Sequence, residues 1–318
     1  CPIFLHMPSS SHEVSHFMCN GMYIVPVLQN LKVLSIQDAK YGWLLMTNTS
    51  NEGEIFFLNP LTTEKIEIPK LPEVVMHCLC FTSMPTSSDC IVLGIYQCES
   101  WCDVYHICRG EKEWAEVHIP EANVGDSELI PYSNPVFHNN VFYWIVSSGK
   151  LCSYDPRDRV VKFLVEPQSP CKYVHISYLF ESDKKLMLVL VGRRGKRVMV
   201  YELDDASMAW KEVNTLDNKA VFLSRNSCLV TDCLEMPDFE DMICFNRFIN
   251  DDKPLLYSLK TSKLGVYGGG HHAICDFCDI PEYHIKSAWI KPNVNLHSVR
   301  ELRWDDAVYN ISQLLTTF

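Results

Sequence analysis

The chain of 318 residues has no excess of basic residues. Its 28 Lys and Arg stand against 39 Asp and Glu, which gives a formal net charge of −11. Such a charge repels phosphate backbones and anionic lipid headgroups, so we expect neither nucleic acid nor a membrane surface as a partner. Long apolar runs are also missing. The longest, Leu186–Val191, has six residues, whereas a membrane-spanning helix needs roughly 20.

Sequence motifs of catalysis and of phosphate binding are missing as well. The chain has no GxSxG nucleophile motif, and Gly268–Gly270 starts neither GxGxxG nor GxxxxGK. No pair of carboxylates has a spacing that predicts acid–base catalysis. We therefore expect a protein that is not an enzyme and needs no cofactor.

Cysteine, in contrast, is abundant, with fifteen residues. Many lie within apolar runs, as Cys78, Cys80 and Cys244 do, and this pattern is typical of buried free thiols in a reducing compartment. We therefore expect a cytoplasmic or nuclear protein. The chain begins at Cys1 and shows no signal peptide, so we expect an upstream segment in the native protein. A transit peptide in that segment would make the protein organellar.

One cysteine pair has the spacing of metal ligands. Cys275 and Cys278 form a CxxC motif a few residues after His271 and His272, and this set is suited to tetrahedral zinc. A second ligand pair with firm spacing is missing, and one CxxC arises easily by chance in a cysteine-rich chain. We favour a loop with reduced thiols over a zinc or redox site.

A strand–turn–strand unit recurs along the chain. The turns Asn59-Pro60 and Asp155-Pro156 lie 96 residues apart, and so do Trp114 and Trp210 in a second pair of units. Equivalent turns fall near residues 59, 108, 155, 204 and 259, which gives a period of about 48 residues. A period of this length with several strands per unit indicates the blades of a β-propeller.

Five four-stranded units fit between Val33 and Tyr267, the last of which begins with one long strand, Val221–Val230. A further blade is expected from the chain ends, because closing the ring leaves only short, protected edges. We predict an all-β propeller of about six four-stranded blades over residues 1–295, or seven if Ala273–Tyr283 holds strands. Residues 296–318 are predicted to form a short helical tail that packs on the propeller.

Several segments resemble a known family. They are Tyr41-Gly-Trp-Leu-Leu45, Phe56–Pro69, Trp210-Lys-Glu-Val213, Ala220–Cys228 and Ser287–Pro292. Together they resemble a plant family of kelch-like F-box proteins, whose propeller was catalogued as domain of unknown function 295. The resemblance covers roughly residues 1–295, and its motifs are structural, so they identify a fold better than an activity.

The resemblance implies protein recognition. Many family members carry an F-box ahead of the propeller, which binds the Skp1 adaptor of a cullin ubiquitin ligase, while the propeller selects the protein substrate. This chain shows no F-box, so a Skp1-type adaptor is implied only through a segment outside it. The implied function is a non-catalytic, substrate-binding propeller of an SCF ubiquitin ligase. The alternatives are an organellar scaffold without an F-box and a propeller enzyme with a site at the central channel.

Candidate partner-binding residues lie in loops that join second to third strands, on the face that also carries the connections between blades. The basic loop Gly192–Arg197 would hold an acidic or phosphorylated segment, and Trp101 is the expected aromatic anchor. A solvated hairpin tip and a tryptophan buried between blades are the alternatives. The candidates are Trp101, Arg193, Arg194, Lys196, Arg197, Asp251 and Asp252.

Overall fold

A computed structural model shows an all-β propeller. It describes residues 3–6, 14–16, 21–23, 34–48, 53–71, 76–98, 101–120, 130–146, 149–164, 176–192, 198–234, 236–249, 253–266 and 287–291. Over these ranges the chain forms 25 strands and one short 3-10 turn, Pro237–Phe239. No helix in this part of the chain has the length and apolarity that crossing a membrane requires.

Most strands belong to five blades, which we label A to E. The N-terminal strands outside the blades are β1 (Ile3–His6), β2 (Val14–His16) and β3 (Gly21–Tyr23). Blade A consists of β4 (Leu34–Lys40), β5 (Trp43–Asn48), β6 (Ile55–Leu58) and β7 (Lys65–Ile68). Blade B consists of β8 (Cys78–Phe81), β9 (Ile91–Gln97), β10 (Trp101–Cys108) and β11 (Ala115–Pro120). Blade C consists of β12 (Val136–His138), β13 (Val141–Ile145), β14 (Leu151–Asp155) and β15 (Val160–Phe163).

The last two blades complete this part of the ring. Blade D consists of β16 (Ile176–Ser182), β17 (Lys185–Val191), β18 (Val198–Asp204) and β19 (Ala209–Val213). Blade E consists of β20 (Lys219–Leu223), β21 (Cys228–Asp232), β22 (Met242–Ile249), β23 (Lys253–Ser258) and β24 (Lys263–Val266). The strand β25 (Ser287–Ile290) follows them.

In blades A to D the last strand is less buried than the strands inside it. In blades A to D each strand pairs antiparallel with the next, and the first strands of neighbouring blades touch near the axis. All four residues of β8 are buried, whereas buried and exposed residues alternate along β7. A strand that is covered on both faces is apolar throughout. In a strand with one solvent-exposed face, apolar and polar residues alternate. The long apolar run in β17 is therefore explained by its place inside blade D.

The core consists of apolar layers between neighbouring blades. Trp43, Phe57 and Phe81 lie between blades A and B, and Trp144 lies between blades B and C. Ten of the fifteen cysteines are described, all as free thiols, and seven of them are buried. Burial raises the pKa of Cys102 to about 12, so such thiols pack as small apolar groups, which confirms the expected role of buried cysteine in this part of the chain.

The repeat in the sequence is the turn between third and fourth strands. In blade A, Asn59 Oδ1 accepts hydrogen bonds from the backbone N–H groups of Leu61 (3.0 Å) and Thr62 (3.1 Å). Asp155 and Asp204 accept the same kind of bond in blades C and D. Four positions after each of these residues the backbone is left-handed, at Thr63, Arg159 and Met208. The predicted turns near 59, 155 and 204 are confirmed at these positions.

The predicted number of blades is wrong. The described chain forms five blades rather than six or seven. The chain ends do pair, because β1 runs antiparallel to β25 with Ile3 opposite Ile290. However, β2 and β3 form a two-stranded sheet of their own, so hydrogen bonds do not join the terminal strands into one four-stranded blade. Residues 273–283 and the predicted helical tail lie outside the described residues.

The predicted long strand Val221–Val230 is also wrong, because it is a hairpin. β20 and β21 pair antiparallel around the turn Ser224–Ser227, and β20 then runs parallel to β22. Blade E therefore has five strands, with β21 at its inner edge. The turn is stabilised by Ser224 Oγ, which lies 2.8 Å from Ser227 Oγ. Apolar residues on both sides conceal this turn in the sequence.

The turn Ser224–Ser227, here called the hub turn, closes one end of the central channel. Asn226 Nδ2 donates to the carbonyl oxygen of Ile36 in blade A (2.8 Å). Arg225 Nε donates to the carbonyl oxygen of Tyr132, just before blade C (3.2 Å). Ser227 Oγ accepts the backbone N–H of Trp289 in β25 (2.8 Å). The hub turn therefore joins blades A, C and E to the last strand.

Candidate functional site

The other end of the central channel opens as a pit of about 740 Å³, here called the central pit. All five blades and β25 contribute to its wall, mostly through the ends of their innermost strands. Its lining consists of Ala39, Lys40, Tyr41, Phe81, Thr82, Ser83, Met84, Ser87, Asp89, Val136, Phe137, Phe180, Glu181, Cys228, Leu229, Val230, Trp289, Ile290 and Lys291. The turns between first and second strands surround its mouth, and we call this side of the propeller the pit face.

A buried ion pair lies in the wall of the central pit. Asp38 is fully buried, and its Oδ2 lies 2.9 Å from Nζ of Lys40, whose side chain is 25% exposed. Asp38 Oδ2 also accepts the backbone N–H of Phe81 (3.0 Å), and Lys40 Nζ donates to the carbonyl oxygen of Phe81 (2.9 Å). Blades A and B are thus joined by charge-assisted hydrogen bonds.

The charge of Lys40 is fixed by this pair. Burial alone would lower the pKa of Lys40, but the adjacent Asp38 carboxylate outweighs it and raises that pKa above its ordinary value. The ammonium group is therefore protonated at neutral pH. Two of its three hydrogens are used by Asp38 and by the carbonyl oxygen of Phe81, which leaves one hydrogen that neither of them uses. Nζ also lies 5.5 Å from the centroid of the Phe81 ring.

The longest loop that lines the pit joins β8 to β9 and spans Thr82–Cys90. Blades A, C and D have turns of two residues at this place, such as Asn139-Asn140 with two positive φ angles, which is the geometry of a tight hairpin. The longer loop of blade B places Met84 and Asp89 at the mouth of the pit. Tyr41 donates its hydroxyl hydrogen to the carbonyl oxygen of Thr82 (3.1 Å), which attaches this loop to blade A.

Two carboxylates lie on the rim of the central pit. Hydrogen bonds from Ser87 and Ser83 lower the pKa of Asp89, so this group is ionised at neutral pH. On the side of blades C and D, Glu181 Oε2 accepts a hydrogen bond from Nδ1 of the buried His138 (2.8 Å). The rim therefore carries a carboxyl group on each of two sides.

Exposed apolar side chains are concentrated on the pit face. Among the described residues, six large apolar side chains are exposed, and five of them lie in or beside the turns of this face. These five are Tyr41, Leu61, Met84, Val160 and Leu234, the last of which is 95% exposed. The sixth is Trp101, at the opposite end of blade B.

Trp101, the predicted aromatic anchor, is exposed rather than buried between blades. It begins β10 and is 38% exposed. Its Nε1 donates to Asp103 Oδ2 (3.0 Å), and Asp103 Oδ1 lies 2.6 Å from Nδ1 of His118 on β11. The three side chains form an aromatic and polar patch on blade B, far from the central pit, so Trp101 stays a prediction for partner binding.

The other predicted site residues lie outside the described residues, and they also stay predictions. They are the basic residues Arg193, Arg194, Lys196 and Arg197, the acidic pair Asp251 and Asp252, and the metal candidates His271, His272, Cys275 and Cys278. Within the described ranges, no three His, Cys, Asp or Glu side chains are placed to hold a metal ion.

Sequence reasoning missed the residues of the central pit. Lys40, Met84 and Asp89 belong to no motif, and they meet only because the innermost strands converge on the axis. One signal was available: the stretch between the apolar runs of β8 and β9 is longer than its counterparts in blades A, C and D. Long loops on a rigid scaffold often carry binding residues.

Comparison with known proteins gives a family match. The model of the family described as KIB1-4 beta-propeller matches residues 15–268. An F-box/kelch-repeat protein of Arabidopsis thaliana is 27% identical over 231 residues, which are 67% of this chain and 57% of that protein. An F-box protein of the same plant is 28% identical over 225 residues, which are 69% of this chain and 46% of that protein.

The chain spans about half the length of these curated relatives. Among solved structures, a DUF4784 family protein from Bacteroides caccae covers 91% of this chain and 74% of its own, with 12% identity and a TM-score of 0.43. That likeness is too distant to support a conclusion.

Proposed function

Because the chain belongs to the KIB1-4 β-propeller family, we propose that it is the substrate-binding part of an F-box protein in an SCF-type ubiquitin ligase. The family is a plant F-box-associated propeller family, and its propellers are non-catalytic interaction modules. In this proposal the ubiquitin-transfer chemistry belongs to other subunits. The propeller holds a protein substrate near them.

The proposal rests on the names of the relatives. Two curated relatives are named as F-box proteins, and the chain spans only about half of each. The propeller adds an open central pit and a pit face that exposes apolar side chains among the described residues. Interaction surfaces are typically of this kind. The proposed partners are a protein substrate and, through an F-box outside this chain, a Skp1-type adaptor.

The native N-terminus tests the proposal. The intact mass of the endogenous protein is measured, and peptides upstream of Cys1 are mapped. We expect an upstream segment that carries an F-box, and co-purification of the endogenous protein with Skp1. Two results would overturn the ligase assignment and favour an organellar scaffold. One is a mature N-terminus near Cys1, left by removal of a transit peptide, and the other is an upstream segment that does not bind Skp1.

The same measurement bears on location. We propose that the protein is cytoplasmic or nuclear, since the described cysteines are free thiols and free thiols persist in reducing compartments. Fractionation of the native tissue checks this proposal. Recovery of the protein in a washed organelle fraction would contradict it.

A further inference from the structure

We propose that the central pit binds an extended segment of the partner protein, which inserts one bulky apolar side chain and carries a Lys or Arg close to it. This inference rests on the proposed function, since it names the chemistry of the substrate that the propeller would hold. It concerns the pit face, which is opposite to the loops that the sequence pointed to.

The size of the pit fits a short segment of chain. Its volume of about 740 Å³ lies within the range of roughly 300–1,000 Å³ that is usual for binding sites. The hub turn closes the far end of the channel, so a ligand enters from the pit face. Val230, Trp289 and Ile290 belong to the lining, so the wall offers apolar surface to one inserted side chain.

The rim extends the apolar surface. Met84 and Tyr41 are 39% and 52% exposed and stand at the mouth of the pit. Leu61, Val160 and Leu234 lie farther out on the same face. Single exposed apolar residues are ordinary on a protein surface, but a group around a concave pit marks an interaction site.

Lys40 supplies a polar anchor for the backbone of the segment. Lys40 lines the pit with a side chain that is 25% exposed, and Asp38 and Phe81 fix its position while using two of its three ammonium hydrogens. An extended peptide presents a carbonyl oxygen at every residue. One such oxygen would accept the remaining hydrogen and fix the register of the segment.

The charges on the rim favour a Lys or Arg next to the inserted apolar side chain of the bound segment. Asp89 and Glu181 place carboxyl groups on two sides of the rim, the latter hydrogen-bonded to His138, whereas the charge of Lys40 is balanced by Asp38. Lys291 is the exposed cation of the described lining. The whole chain carries −11. A Lys or Arg close to the anchor therefore reaches a carboxylate, and the field of the protein attracts it.

A defined peptide library tests the inference. The full chain is immobilised, and random peptides of twelve residues are selected on it, with bound peptides eluted and sequenced. We expect enrichment of Leu, Phe or Met with a Lys or Arg within a few positions. Dissociation constants of the selected peptides are then measured by fluorescence anisotropy at low and high salt.

Two substitutions in one loop provide the matched comparison. Ser87 lines the pit and Ser88 is an exposed neighbour outside its lining. Ser87→Trp fills the mouth, so we expect the selected peptides to bind at least about tenfold more weakly, which corresponds to about 1.4 kcal/mol. Ser88→Trp adds the same bulk outside the pit and should leave binding unchanged.

Removal of charge gives a second readout. Asp89→Asn keeps a hydrogen-bond acceptor for Ser83 and removes the carboxylate charge. We expect this variant to bind the peptides more weakly at low salt and to show a smaller salt dependence. Thermal unfolding of each variant shows whether it is folded. If Ser87→Trp unfolds, Ser87→Leu narrows the mouth at the same half-buried position with less added volume.

The outcomes separate the pit from the wider function. Three results would overturn the pit proposal. They are that no peptides are selected, that acidic peptides are enriched, or that the selected peptides bind equally well to both tryptophan variants. None of these results depends on Skp1, so the ligase assignment would stand. Conversely, the pit could bind peptides with a bulky apolar residue and a nearby Lys or Arg, while the native protein has no F-box. That result would support the inference and overturn the ligase assignment.

Discussion

Left-handed residues recur at equivalent positions in the turns of the blades. Thr63, Arg159 and Met208 have φ angles of 64°, 55° and 47°. Each lies four residues after an Asn or Asp that accepts backbone hydrogen bonds within the turn. The side-chain oxygen makes the turn, and the left-handed residue returns the chain to the fourth strand. The repeat in the sequence therefore reflects local turn chemistry.

Thr63→Gly is expected to stabilise the protein. A β-branched residue in the left-handed region is strained, and glycine removes that strain at some cost in the entropy of the unfolded chain. We expect a gain of about 0.5–1 kcal/mol in the free energy of unfolding by urea titration. Thr62→Gly is the control, because Thr62 donates its hydroxyl hydrogen to Glu64 and should lose stability. A loss in both variants would show that Thr63 is not strained.

Asp204 gives a prediction for acid stability. Hydrogen bonds from Lys211 and from Ser207 lower its pKa to about 2. Because the folded pKa lies below the unfolded one, the stabilisation is present above about pH 4 and is lost as the pH falls towards 2. Asp204→Asn keeps an oxygen for the turn and loses the ion pair with Lys211.

Stability of Asp204→Asn is compared with that of the wild type between pH 6 and pH 2. We expect the variant to be less stable at pH 6, and the difference to narrow as the pH falls. Asp158→Asn, in the equivalent turn of blade C, is the control for removal of an exposed carboxylate. A difference that is constant across the range would show that the charge of Asp204 contributes nothing.

The β20–β21 hairpin is the element that distinguishes blade E. It adds an innermost strand, β21, and places the hub turn on the axis. Inner strands of a propeller expose backbone groups to the channel, and side chains from other blades satisfy them here. Asp38 does so for the N–H of Phe81, and Ser227 for the N–H of Trp289. The hairpin thus closes the channel at one end and leaves the pit at the other.

Asn226→Ala should destabilise the protein. Its side-chain amide donates to the carbonyl oxygen of Ile36, 190 residues away in the chain. Loss of this bond leaves a partly buried carbonyl without that donor, which costs about 1–3 kcal/mol. Asn214→Ala, at an exposed position after β19, is the matched control with little expected effect. Chemical denaturation measures both, and equal midpoints would exclude a role of the hub turn in stability.

At the scale of the whole molecule, the ring is completed by strands from the two ends of the chain. β25 pairs with β1 and packs beside β4 and β21. Trp289 is fully buried, with its ring 5.0 Å from that of Phe222, and its Nε1 lies 3.3 Å from the carbonyl oxygen of Leu223. The last described strand is therefore part of the core of blade E.

Trp289→Ala should lower the free energy of unfolding by about 3–5 kcal/mol, because it removes a fully buried aromatic ring. Trp289→Phe keeps most of the volume and should lose less. Trp101→Ala removes an exposed tryptophan and should cost less than about 1 kcal/mol. Denaturant midpoints rank the three variants. A small effect of Trp289→Ala would show that β25 is not needed to complete the ring.

Much of the fold is determined by the sequence alone. Strands such as Ile91–Gln97 and Lys65–Ile68 occur where the apolar patterns predict them. The turns that repeat near every 48 residues are confirmed because their chemistry lies within a few residues. Trp114 and Trp210 repeat because each packs against an apolar layer between two neighbouring blades. Both are only half-buried, and Trp114 Nε1 donates to the carbonyl oxygen of Pro69, which joins blade B to blade A.

Only the tertiary structure decides how the blades meet. Contacts between residues that are distant in the chain decide three features. These are the number of blades, the parallel pairing of β20 with β22 and the composition of the central pit. The hydrogen bond between Asn226 and Ile36 and the ion pair in the pit wall are examples. A local sequence pattern specifies strands and turns because the residues that interact within them lie close together in the chain. It cannot specify which inner strands converge on the axis, since that choice depends on packing across the whole ring.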